Sequence, residues 1–282
     1  MMVDMSKVSW LTKFQIGQET DELLNQWAIF TGQEVKPPIP VEAIAEKFLG
    51  LTVEYDSLEE ILGIPDVLGA TWAEEKRMLI NNSLLDGVEG RITFTCGHEI
   101  GHWILHRKYL FDQFTPLESP SIYAGDGGNR KHQLLIEDGV KAPPLLTGFT
   151  RFCRLSNSNQ PTVVCRLSAS KLRGEWQADY FSSCLLMPQE EVENAYKRAF
   201  GTTPIFIYNE KSCFGRNNPV VIDPALDTAK EIAQKVISEG NFTNVSKEAM
   251  CYRLNELGLL INLASKSLVE QFKAIKPSIN QK

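Results

Sequence analysis

A chain of 282 residues with 43% hydrophobic and 23% charged residues is long enough for one large domain or two modest ones with packed cores. Its formal net charge of −6 argues against a general polyanion binder, because a phosphate-tracking surface needs clustered Lys and Arg. No stretch nears the ~18 consecutive apolar residues of a membrane span. The opening residues, MMVDMSKVSWLTKFQIG, lack a secretory apolar core, and the six cysteines include no CxxC pair, so the expectation is a cytoplasmic protein with reduced thiols.

In chain order, Glu19–Phe30 carries Leu23, Leu24, Trp27, Ala28 and Phe30 at helical spacing and stops at Gly32. KPPIP then leads into a helix over Val41–Phe48, closed by Gly50. Leu51–Ser57 alternates like a half-buried strand. GATWAEEKRMLINN reads as two strands about a charged turn at Glu74–Lys76. The expectation is a small, mostly antiparallel sheet whose last strand is Arg77–Asn81, with helices on one side. A helix over about Ile92–Leu110 follows, and then a Pro-, Gly- and Ser-rich excursion over 107–174. Helical pattern returns in GEWQADYFSSCLLMP, where Trp176, Ala178, Phe181, Leu185 and Leu186 make an apolar face ended by Pro188. From about Pro219 the chain again reads as helical, with DTAKEIAQKVISEG followed by VSKEAMCYRLNELGLL and Ser246 as an N-cap.

The helix over Ile92–Leu110 holds three of the four histidines. His98-Glu99-x-x-His102 sets two imidazoles on one face, about 6 Å apart along the axis, so that one zinc ion can bind both. Glu99 is one residue round from His98, beside the ion rather than on it, where it can accept a proton from water. His106 lies a further turn along and is rotated away, too far to complete a tetrahedral site; its expected role is support at the helix end, where the dipole favours a cation. The third ligand must come from elsewhere, and His132, Cys153, Cys165 and Glu175 are the candidates. Glu175 is the best placed. It opens a helix and pairs with Asp179 at i, i+4, so that Glu175 can reach the ion while Asp179 accepts the second N–H of a ligating histidine. Three ligands with one position left for water is a catalytic rather than a structural arrangement. Tyr123, His132 and Tyr180 are candidates for stabilising an oxyanion.

RITFTCGHEIGHWILH followed by EWQADYFSSCLLMP resembles the ImmA/IrrE family of metallopeptidases. The likeness runs through His98, Glu99 and His102, then Glu175, Ala178, Asp179, Phe181 and Leu185-Leu186-Met187-Pro188, and extends from about Val41 to Pro188. It implies a zincin-like α+β fold with two active-site helices, in which an edge strand, here Arg77–Asn81, holds an extended peptide by β-addition. It implies zinc-dependent endopeptidase activity on a helix-turn-helix repressor, whose cleavage switches on stress or mobile-element genes. Cys96 and Gly97 depart from the small apolar residues usual before the first histidine. The domains expected are a metallopeptidase region over 19–206 and a helical, helix-turn-helix-like region over 219–282. From Val221 onward eight bases face seven acids, which favours packing or repressor docking over direct DNA contact. Two other readings fit the same residues: a regulatory module with a structural or vestigial zinc site, and a zinc aminopeptidase or amidase.

Overall fold

The computed structural model describes residues 4–85, 89–112, 160–166, 172–207 and 227–262. Helix α1 spans Lys13–Thr31, starting six residues before the periodic apolar run. A capping box sets that start: Thr12 accepts from the Gln15 amide while the Gln15 side chain reaches back to Thr12. Gly32, in the left-handed conformation, ends the helix as expected. The helix expected over Val41–Phe48 is a short α-segment, α2 (Val41–Ala43), that runs on as a π-helical turn over Ile44–Phe48.

Four of the described strands form one sheet: β1 (Thr52–Asp56), β2 (Val67–Trp72), β3 (Arg77–Asn81) and β4 (Val163–Arg166), in the order β1-β3-β2-β4. β2 pairs antiparallel with both β3 and β4, but β1 runs parallel to β3. The sheet is therefore mixed, with two of its three pairings antiparallel, in keeping with the mostly antiparallel sheet expected. Helix α3 (Leu58–Leu62) and β2 together make the crossover that parallel neighbours require. One expectation fails: Arg77–Asn81 is flanked by β1 and β2, bonded on both sides, and cannot accept a peptide by β-addition. Its residues from Met78 to Asn81 are all buried, as an interior strand's should be. The sheet's edges are β1 and β4.

Strand alternation divides the sheet into two faces. Ala70 and Trp72 of β2, Leu79 of β3 and Val164 of β4 pack with Leu58 and Leu62 of α3. Gly69 and Thr71 turn to the other face, against helix α4 (Glu89–Leu105). The expected helix over Ile92–Leu110 thus begins earlier and breaks at His106, resuming as α5 (Arg107–Asp112). Much of the expected excursion over 107–174 lies outside the described residues. Its described parts include α5 and β4, so the excursion supplies an edge strand to the sheet.

Helix α6 (Arg173–Leu186) crosses α4 at close range. A Cβ at Gly101 would lie 3.1 Å from the Ala178 Cα, and one at Gly97 would lie 2.5 Å from Ser182 Oγ. Small residues on both helices thus set the separation of the two backbones, and Ser182 Oγ donates across the crossing to the Phe94 carbonyl at 2.8 Å.

The chain divides into two compact units, one of Met1–Val35 with Pro40–Leu185, the other of Lys36–Ile39 with Leu186–Lys282. In the second, α7 (Gln189–Phe200) packs against α8 (Asp227–Gly240), which packs against α9 (Lys247–Glu256). Ser246 caps α9 as expected, accepting from the Ala249 amide. Strands β5 (Ile205–Ile207) and β6 (Leu260–Asn262) pair in parallel. The buried Arg253 guanidinium donates to the Met187 carbonyl at 3.0 Å. Helix α7, placed by sequence in the first region, belongs to this second unit. Among the described residues no helix is long and apolar enough to cross a membrane. The architecture is a mixed α/β one, compatible with the α+β class expected.

Candidate metal centre

The crossing of α4 and α6 brings the two i, i+4 pairs face to face. His98 and His102 stand one turn apart on α4, Glu175 and Asp179 one turn apart on α6. The Nε2 atoms of the two histidines lie 2.9 Å apart. Glu175 closes a triangle with them, Oε2 at 3.3 Å from His98 Nε2 and Oε1 at 3.4 Å from His102 Nε2. All three side chains are buried. Donors at ~2.0–2.1 Å around a tetrahedral ion stand about 3.4 Å apart, so the triangle is close to the size an ion needs.

The protons of this cluster point the same way. Asp179 Oδ1 lies 2.8 Å from His98 Nδ1, and a carboxylate there accepts a hydrogen bond from a protonated Nδ1, so that the neutral ring carries its bare lone pair on Nε2. That lone pair faces a carboxylate and a second imidazole nitrogen in a site with little water. Converging acceptors at such distances repel unless a cation lies among them. His98, His102 and Glu175 therefore form a buried group that could hold a metal ion, and the donor set of two imidazoles and a carboxylate suits a divalent one. In the metal-free chain a proton takes that place: burial disfavours the charged form of His98, but the acceptors around it, Asp179 and Glu175 among them, hold the imidazole well above its usual range.

His106 is also buried, which corrects the expected helix-end cation. Its Nδ1 meets His102 Nδ1 at 2.9 Å and its Nε2 meets Gln177 Oε1 at 2.8 Å. Burial, then the neighbouring His102, push it down to about 3, so it is neutral over the physiological range. It is not among the grouped donors, as its position on the helix predicted.

Glu99 lies on the sheet side of α4. Its Oε2 accepts from Thr71 Oγ1 at 2.6 Å, while Oε1 is buried and meets no hydrogen-bond donor among the described residues. Gly69 makes room for it: a Cβ at that position would lie 2.7 Å from Glu99 Oε1. Burial raises the Glu99 carboxyl above the usual carboxylate range, against the pull of His102 and His98.

Cys165 sits on β4 beside Gly69 of β2, and its thiol, a His98 nitrogen and a Glu99 oxygen lie within 4.8 Å of one another. The thiol is not grouped with His102 and Glu175. Burial pushes the Cys165 thiol up, so it is protonated and a poor donor to a metal. Cys165→Ala is accordingly expected to leave the metal content of the purified chain unchanged, as measured by elemental analysis; a loss of half the metal or more would make Cys165 a ligand.

Of the other expected candidates, Tyr123, His132 and Cys153 lie outside the described residues. Tyr180 stacks on Trp176, ring centroids 5.8 Å apart, with Lys13 Nζ 5.0 Å from its ring. The sequence reading missed Thr71, Gly69 and Gln177. The first two sit two apart on one strand, a spacing that places them on one face, but only the tertiary fold reveals which face meets α4. Compared with protein-family models and with curated proteins, the chain matches none.

Proposed function

We propose that the chain is a zinc-dependent endopeptidase of the ImmA/IrrE kind, with His98, His102 and Glu175 holding the ion and Glu99 as the general base. The carrying observation is Glu99 Oε1, a buried oxygen that meets no donor among the described residues and lies beside a triad of metal-ligand groups. A structural zinc site has no use for such an oxygen, which disfavours the reading as a vestigial or purely structural centre.

Zinc bound to the triad supplies a Lewis acid that polarises a carbonyl and acidifies water. The rest is the work of the side chains. Glu99 Oε1 accepts the proton of the attacking water and returns it to the leaving amine. Thr71 holds the other carboxylate oxygen, so that only Oε1 is free to turn toward substrate. The raised carboxyl of Glu99 brings its proton affinity nearer the working pH, where a general base is most effective. Asp179 fixes the ring of His98.

The partner follows from the sequence resemblance: a helix-turn-helix repressor, cut in the cytoplasm to switch on stress or mobile-element genes. Zinc-loaded protein mixed with a small helix-turn-helix repressor, sought first among the products of neighbouring genes, is expected to give two fragments by mass spectrometry, and none with a chelator. Cleavage of peptides only when their amino terminus is free would instead make the chain an aminopeptidase. A zinc-loaded chain that cleaves neither blocked nor free substrates, yet binds the repressor, would favour the regulatory module.

A further inference from the structure

His102 Nδ1 and His106 Nδ1 lie 2.9 Å apart, so one of them must donate to the other, and which one does decides whether a neutral His102 can bind a metal through Nε2. The answer lies three links away, at the backbone of Ser9. A backbone carbonyl can only accept, so the Gln177 amide must turn its Nε2 toward Ser9 O, 2.9 Å away. Gln177 Oε1 then faces His106 Nε2 at 2.8 Å and accepts its proton. A neutral His106 protonated on Nε2 carries a lone pair on Nδ1. It therefore accepts from His102 Nδ1 at 2.9 Å, leaving His102 Nε2 bare toward His98 and Glu175.

We propose that Ser9, Gln177 and His106 form a positioning relay that fixes His102 in its metal-binding tautomer, extending the metal centre to the amino-terminal segment. The relay rests on the reading of the triad as a metal site. It is the counterpart on His102 of what Asp179 does for His98, but built of neutral groups, so its direction depends on one carbonyl.

That carbonyl is held in place. The Ser9 amide donates to Tyr109 Oη at 2.8 Å. Val8 O accepts from Arg173 Nη1, and Met5 O accepts from the Gly174 amide, each at 3.0 Å. Trp10 stacks on Trp176 with ring centroids 5.2 Å apart and planes 3° from parallel. The segment Met5–Trp10 is thus fastened to the start of α6, whose first two turns carry Glu175 and Gln177. Gln177 and His106 are themselves fully or almost fully buried, so water does not substitute for a missing link.

The test reads tautomers and metal affinity in the full-length chain. Long-range proton–nitrogen spectra of the metal-free wild type are expected to show His106 protonated on Nε2 and His102 on Nδ1; His106 protonated on Nδ1 would overturn the relay. In competition with a zinc chelator, His106→Leu and Gln177→Leu are expected to weaken zinc binding by roughly 10–100-fold, the usual cost of losing a partner of a metal ligand. His106→Gln offers an amide oxygen to His102 and an amide N–H to Gln177, and is expected to recover most of that loss. Equal affinities for His106→Gln and His106→Leu would reduce His106 to packing and sink the proposal. A wild-type chain that takes up no zinc would overturn the metal reading beneath it, whatever the tautomers.

Discussion

Glu99→Gln is expected to leave zinc bound at full stoichiometry and to lower the rate of substrate cleavage by about 10²–10⁴-fold, the typical contribution of a positioned general base. The substitution is nearly isosteric. The amide oxygen of the new side chain can still accept from Thr71 Oγ1, which lies 2.6 Å from Glu99 Oε2, and the helix crossing is untouched. What changes is the other atom. An amide nitrogen in place of Oε1 cannot accept a proton. Metal content by elemental analysis and cleavage by gel or mass spectrometry separate the two effects. A Glu99→Gln variant that cleaves at the wild-type rate would remove Glu99 from the mechanism, and one that loses zinc would make it a ligand. The Gly69 close approach adds a second way to disturb the same atom, since any side chain there must displace Glu99 Oε1.

The grouping of His98, His102 and Glu175 was largely legible in sequence because each pair, His98 with His102 and Glu175 with Asp179, follows from helical spacing. Two i, i+4 pairs state which side chains share a face, and burying both faces at one crossing brings the four together. The contacts one step out were not legible. Gln177 lies between Glu175 and Asp179 in sequence, and nothing in its neighbours marks it as the partner of a histidine seventy-one positions away. Cys165 reaches the site only because VVCR pairs with β2, and four residues inside a Pro- and Gly-rich excursion carry too little pattern to declare a strand. The parallel pairing of β1 with β3 was also hidden, since strand direction depends on the path of the chain and not on alternation. For α1 the missing signal was present: Thr12-x-x-Gln15 is a capping box that fixes the helix start ahead of its apolar run.

Removing a ligand should separate from removing a support, and pH supplies the sharper test. Glu175→Ala takes away the only carboxylate among the three grouped donors. It is expected to weaken zinc binding on the order of 10³-fold or more, beyond the roughly 10–100-fold that loss of a ligand's partner costs. In the metal-free chain burial raises the Glu175 carboxyl, but hydrogen bonds to His102 and His98 outweigh it and hold it down at about 2. A depressed carboxylate contributes stability that is complete above its unfolded value and lost as pH falls toward 2. His98, raised well above 6.5, has the opposite sign: its contribution is complete below about 6.5 and lost as pH rises through the folded value. Zinc must displace that proton, so its binding should release about one proton per ion near neutral pH and tighten as pH rises. The metal-free fold thus weakens over the same range in which the zinc-bound fold gains. The gap in melting temperature between zinc-loaded and chelator-treated protein is therefore expected to be wider at pH 8 than at pH 6. Calorimetry in buffers of different ionisation enthalpy counts the protons, and a gap that narrows with pH would mean the ion does not bind at His98.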